Sequence, residues 1–114
     1  MIRIYHNSHC SKSRATLALL EEHGEPFRVI NYLETPPTPA ELTELLGLLH
    51  MSARQLLRHG EPEYQALGLA DPKLDDDALI AAMVAHPKLI ERPIVVANGR
   101  AVIGRPPEAV LALL

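Results

Sequence analysis

The chain has 114 residues, 47% of them apolar, and a mean hydropathy near zero, enough for one domain whose core needs neither disulfides nor metal. Its net charge is −3, with no basic run and only 4% aromatics, which argues against nucleic acid as the main partner. One cysteine cannot form an internal disulfide, Met1 to Tyr5 lacks the apolar run of a signal peptide, and no stretch approaches membrane-spanning length; the expectation is a soluble cytoplasmic protein with no membrane partner.

Ile2-Arg3-Ile4-Tyr5 alternates apolar and polar and reads as a short strand. The polar stretch His6 to Arg14 follows and holds Cys10, and Ala15 to Glu22 reads as a helix closed by Gly24. Phe27 to Tyr32 alternates again and predicts a second strand, so the chain opens strand–helix–strand. After the stiff turn Leu33 to Pro37, Thr38-Pro39-Ala40-Glu41 has the form of a capping box, and Leu42, Leu45, Leu46 and Leu49 mark an amphipathic helix. Ser52 to Gln55 is a second capping box, opening a short helix that stops at Gly60. Glu61 to Gly68 predicts one or two helical turns. Asp75-Asp76-Asp77 begins another helix with Leu79, Ile80, Met83 and Val84 as its apolar stripe, ended by Pro87.

The last third changes character. Pro93 to Val96 reads as a strand, Asn98-Gly99 as a two-residue hairpin turn, Arg100 to Ile103 as the returning strand, and Glu108 to Leu114 as a terminal helix. No linker, repeat or low-complexity segment interrupts residues 1–114, which read as a single domain. The order β-α-β, helical insert, β-β-α, with a cysteine after the first strand, predicts an α/β protein of thioredoxin-like fold. Pro93 would then be that fold's cis proline, although trans is the default even before proline.

Cys10 stands where a strand hands over to a helix. The unpaired N–H groups of a first turn favour negative charge there, and a thiol so placed has a depressed pKa. Lys12, Arg14, and His6 or His9 when protonated, would act in the same direction. The alternative is a small buried hydrophobe, but the polar neighbours on both sides favour the reactive thiol. There is no Cys-x-x-Cys, and Ser13 stands where a resolving cysteine would be, so a redox cycle through Cys10 must take its second thiol from another molecule such as glutathione.

Among the eight arginines, Arg58 ends a short helix, Arg92 precedes Pro93 and Arg105 follows Gly104; converging on a thiolate, these three would bind a tetrahedral oxyanion. Arg3, Arg28, Arg54 and Arg100 read as solvated surface cations. His6, four residues before Cys10, would hold the thiolate by a hydrogen bond or as a cation. A metal reading of His6, His9 and Cys10 is weak, because His23, His50, His59 and His86 lack ligand spacing.

Five ordered blocks carry a resemblance: Tyr5-His6-Asn7-x-x-Cys10-x-x-Ser13-Arg14, Tyr32 to Thr38, Leu56-Leu57-Arg58, Arg92 to Val96, and Gly104-Arg105-Pro106. Together they resemble the glutaredoxin-dependent arsenate reductases, the ArsC family, over nearly the whole chain, and within it a short branch. The resemblance implies Cys10 as nucleophile, His6 as the residue that helps keep it ionised, and Arg58, Arg92 and Arg105 as oxyanion ligands. It also implies arsenate as substrate, glutathione as co-substrate, glutaredoxin as partner, and no bound cofactor. A monomer is expected, since a thiol adduct handed to a partner needs an open cleft. Two rival functions are a glutathione-linked thiol oxidoreductase, which needs Cys10 but not all three arginines, and a non-enzymatic regulator of the same fold.

Overall fold

The computed structural model describes residues 2–114, in two compact units: the residues up to Thr35 with Arg92–Leu114, and Pro36–Glu91. The first unit is built on a four-stranded sheet of order β2-β1-β3-β4, with β1 at Ile2–His6, β2 at Phe27–Asn31, β3 at Ile94–Ala97 and β4 at Arg100–Ile103. β1 runs parallel to β2 and antiparallel to β3, and β3 and β4 form an antiparallel hairpin. The thioredoxin-like α/β expectation holds.

Side chains alternate across a strand, and that parity sorts β1. Ile2 and Ile4 join Val95 and Ala97 of β3 in one buried cluster with Leu20, Val110 and Leu113. Leu20 belongs to α1, Ser11–His23, whose buried residues Ser13, Thr16 and Leu20 recur at helical spacing. Arg3 and Tyr5 point to the other face, level with Val96 and Ile94. His6 continues the Ile2–Ile4 side and therefore faces α1.

The hairpin turn is as expected. Asn98 and Gly99 both adopt positive φ, 54° and 73°, as a type I′ turn requires. The Arg92–Pro93 bond is cis, and so is Arg105–Pro106. β3 begins at Ile94, one residue later than expected.

The C-terminal helix differs in kind, being a 3₁₀ helix over Pro107–Leu113. Its buried residues, Val110 and Leu113, are three apart, and that spacing aligns on one face when there are three residues per turn. α1 also starts earlier than the expected Ala15. The polar residues Ser11, Lys12, Ser13 and Arg14 form its first turn, where helix formation is fixed by the backbone rather than by an apolar stripe.

The second unit is helical. α2 spans Pro39–Leu49, with Thr38 Oγ1 accepting the Glu41 N–H and Pro39 in the first turn. α3 spans Ala53–Leu56, and its Ser52–Gln55 capping box is complete in both directions. α4 spans Pro62–Ala66, and α5 spans Asp76–Ala85, with Asp75 capping Ala78 N–H. α2 and α3 pack on α5. Leu42, Leu45 and Leu46 of α2, Ala53 and Leu56 of α3, and Leu79, Ile80 and Met83 of α5 are buried. The following proline keeps His86 out of the helical region (φ −132°, ψ 78°), so α5 stops at Ala85, and Pro87 opens a short 3₁₀ turn, Pro87–Leu89.

Two arginines expected to be solvated also bond backbone: Arg100 is exposed as expected, and Arg54 is half-buried. Arg54 donates to the carbonyls of Leu69 and Asp71, both at 2.9 Å, and Arg100 donates to Ala112 O at 2.7 Å. Five donors in a rigid fork suit arginine to collecting carbonyls that leave a helix end unmatched.

Candidate active site

Cys10 is the N-cap of α1. Its backbone is extended (φ −98°, ψ 123°), its N–H bonds Asn7 O at 3.0 Å, and its carbonyl accepts Arg14 N–H at 3.0 Å. The residue is 7% exposed. Burial pushes its thiol pKa up, but the backbone N–H groups of Ser13 and Lys12 and the nearby Arg92 guanidinium oppose burial and leave the thiol below its ordinary value. The stabilising cation is thus Arg92, from the head of β3. Lys12 contributes through its backbone N–H, and the Arg14 guanidinium turns to Ser8 O at 2.9 Å, pinning the loop ahead of the helix.

His6 makes its hydrogen bond to Ser13: Nδ1 and Oγ lie 2.6 Å apart. The same oxygen accepts the Asn7 N–H at 3.0 Å. Ser13 is fully buried and His6 is 6% exposed. Burial first, and the Arg14 charge second, lower the His6 pKa, so the imidazole is neutral at pH 7. Ser13 therefore ties the end of β1 and the loop to the first turn of α1 while its backbone N–H faces the sulfur. The sequence showed Ser13 only as the missing second thiol. The signal for its other role was parity: His6 lies on the Ile2–Ile4 face, and Ser13 lies one turn before Thr16 on the buried face of α1.

Arg105 follows β4 and donates from Nη1 to Arg92 O at 3.3 Å. Gly104 N–H bonds Pro93 O at 2.9 Å. A Cβ on Gly104 would stand 2.6 Å from Thr16 Oγ1 and 2.9 Å from Pro93 Cγ, closer than real contacts allow. Glycine there lets the end of β4 lie directly on α1, which brings Arg105 beside Arg92 and Arg92 beside Cys10.

A pocket of about 140 Å³ borders the same loop, lined by His6, Asn7, Ser8, His9, Asn31, Leu33 and Glu34. Among the described residues, no group of three or more His, Cys, Asp or Glu is placed to hold a metal ion, and no helix is long and apolar enough to cross a membrane.

Arg58 belongs to the helical unit. It follows α3, and its N–H bonds Leu89 O at 2.8 Å beside a bridge between Leu57 and Ile90. Its guanidinium meets the Glu61 carboxylate, with Glu91 3.9 Å away and Lys88 O at 3.4 Å.

Cys10 thus stands at the N-terminus of the first helix of a thioredoxin-like sheet, with Arg92 beside its sulfur. The chain belongs to the ArsC family, whose model matches residues 5–113. It is 58% identical to the uncharacterized protein YfgD of Escherichia coli K12 over 99% of this chain and 96% of that one. It is 51% identical to an arsenate reductase of Neisseria meningitidis serogroup A, over 99% and 97%. A solved structure of an arsenate reductase from Vibrio cholerae superposes with a TM-score of 0.96 at 56% identity, over 99% of this chain and 97% of that one.

Proposed function

We propose that this protein is an arsenate reductase, active as a monomer in a reducing cytoplasm, that uses Cys10 as its nucleophile and draws its electrons from glutathione and glutaredoxin. The observation that carries the reading is the lowered Cys10 pKa at a helix N-terminus beside Arg92, in a chain of the ArsC family. The Cys10 thiolate attacks arsenic and an oxygen leaves as water. Glutathione attacks the adduct, and a glutaredoxin thiol completes the two-electron reduction. In balance, arsenate, glutathione and the glutaredoxin thiol yield arsenite, a glutathione–glutaredoxin mixed disulfide and water. With no second cysteine, both reducing thiols come from outside the chain.

Arg92, Arg105 and Arg58 are assigned to hold the oxyanion, and His6 to support the thiolate through Ser13. Bidentate guanidinium bonds suit tetrahedral oxyanions. On this reading residues 1–114 act as one functional domain. Phosphate has the same shape and charge as arsenate, so selection for arsenic rests on its capacity to accept a thiolate and two electrons.

The test is arsenate-dependent NADPH consumption coupled through glutathione reductase, with glutathione and glutaredoxin supplied. The expected result is a saturable rate that disappears in Cys10→Ser. No rate, with Cys10 still forming a mixed disulfide with glutathione, would replace arsenate reduction by general glutathione-linked thiol chemistry.

A further inference from the structure

Glu61 stands immediately before α4 at its N-cap position, yet its side chain makes no capping bond. It turns to Arg58, three residues earlier, and its Oε1 accepts from Nη1 of the guanidinium. Glu91 Oε1 lies 3.9 Å from Nε of the same group. Both side chains of the Arg58–Glu61 pair are 21% exposed, so water screens the contact only in part. Two carboxylates therefore face one guanidinium. The backbone of Arg58 is fixed by its bond to Leu89 O, and that of Glu91 by its bond to Leu56 O at 3.1 Å. Glu61 is held through its carbonyl, which accepts the Tyr64 N–H at 3.0 Å at the start of its own helix, a local bond that leaves its side chain as the carboxylate able to leave.

We propose that Glu61 is a placeholder for the oxyanion: it occupies the Nη1 donor of Arg58 in the resting protein and yields it when a tetrahedral oxyanion binds. The inference rests on the reading of Arg58 as an oxyanion ligand. A carboxylate and an arsenate oxygen ask the same thing of a guanidinium, a charge-assisted N–H···O bond. The arrangement keeps Arg58 neutralised and aligned between turnovers. It also lowers the affinity for every anion by the cost of removing Glu61, so weakly bound anions fail to occupy the arginine.

The experiment is a calorimetric titration of inorganic sulfate into the full chain, comparing the parent protein, Glu61→Gln, Arg58→Ala and the double variant, each checked for an unchanged circular dichroism spectrum. Glu61→Gln keeps the shape and removes the charge; it should bind sulfate about fivefold tighter, Arg58→Ala should bind it more weakly, and Glu61→Gln should add nothing once Arg58 is gone. Equal or weaker binding in Glu61→Gln, with Arg58→Ala still weakened, would overturn the placeholder alone and make Glu61 a support for the guanidinium. Unchanged binding in Arg58→Ala would remove the Arg58 assignment and the placeholder with it. In the arsenate assay the same gain should appear as a lower KM.

Discussion

Nδ1 of His6 lies 2.6 Å from Oγ of Ser13, and both groups are buried. This contact joins the last residue of β1 to the first turn of α1 across the loop that carries Cys10. Because Asn7 N–H uses the same oxygen, Ser13 serves a buried and a half-buried group at once.

Ser13→Ala strips both groups of their partner. Leaving buried polar atoms unmatched costs about 1–3 kcal/mol, so the melting temperature should fall. Cutting the link from His6 should also raise the pH midpoint of Cys10 alkylation; an unmoved midpoint would mean that the retained Ser13 backbone N–H acts on the sulfur without His6. An unmoved melting temperature would show that the buried contact contributes no stability.

The second prediction concerns the thiolate. Iodoacetamide should alkylate Cys10 with a pH midpoint below the roughly 8.5 of a free cysteine. Arg92→Gln should raise that midpoint, whereas Arg14→Gln should not, because the Arg14 guanidinium acts on His6 and on Ser8 O. A depressed folded pKa favours the folded state above the unfolded value, and that contribution fades as the pH falls through the folded one. An equal shift in both arginine variants would contradict the assignment of Arg92 as the stabilising cation.

His6 titrates with the same sign. Its folded pKa lies below 6.5, so its neutral form supports the fold above that value, and the support is lost as the pH falls through the lowered one. Between 6.5 and the lowered value the parent protein should lose stability relative to His6→Asn as the pH falls, with a slope of at most about 1.4 kcal/mol per pH unit. Chemical denaturation at pH 7.5 and at pH 5 decides this. Parallel losses in both proteins would place the acid sensitivity elsewhere.

Gly104→Ala puts a methyl group into the contact with Thr16 and Pro93. Overpacking of this kind costs about 1–3 kcal/mol, and arsenate turnover should fall with it because Arg105 is the next residue. Thr16→Ala in the same chain removes two of the three crowding atoms, Oγ1 and Cγ2, and should recover part of the loss. If the single variant melts like the parent, the strand end has room to shift.

The sheet and the caps were legible because their signals are local. Ile2 to Tyr5 alternates, Asn98-Gly99 names its own turn, and Ser52 to Gln55 carries both halves of its capping box. The start of α1 was hidden because Ser11 to Arg14 carries no apolar stripe. The 3₁₀ form of the C-terminal segment depends on which residues meet the sheet cluster, which only tertiary packing decides. The partners of arginines were least legible of all. Arg54 and Arg100 look like surface cations in the sequence, yet each closes on carbonyls more than ten residues away. The placement of Cys10 at a helix N-terminus was legible, and Arg92 was among the arginines expected to converge on the thiolate, but the neighbours Lys12 and Arg14 were expected to act with it through their charges, whereas the structure singles out the Arg92 guanidinium.

The register Ile4 opposite Val95 has a consequence for synthesis. β1 leaves the ribosome early, with β2 soon beside it, but its other edge stays open until β3 is made. Throughout that interval the helical segment Pro36–Glu91 is emerging, and its own contacts are mostly internal. Closing the sheet late across so long a separation slows folding and leaves that edge of β1 unpaired in the nascent chain, where chaperones would act.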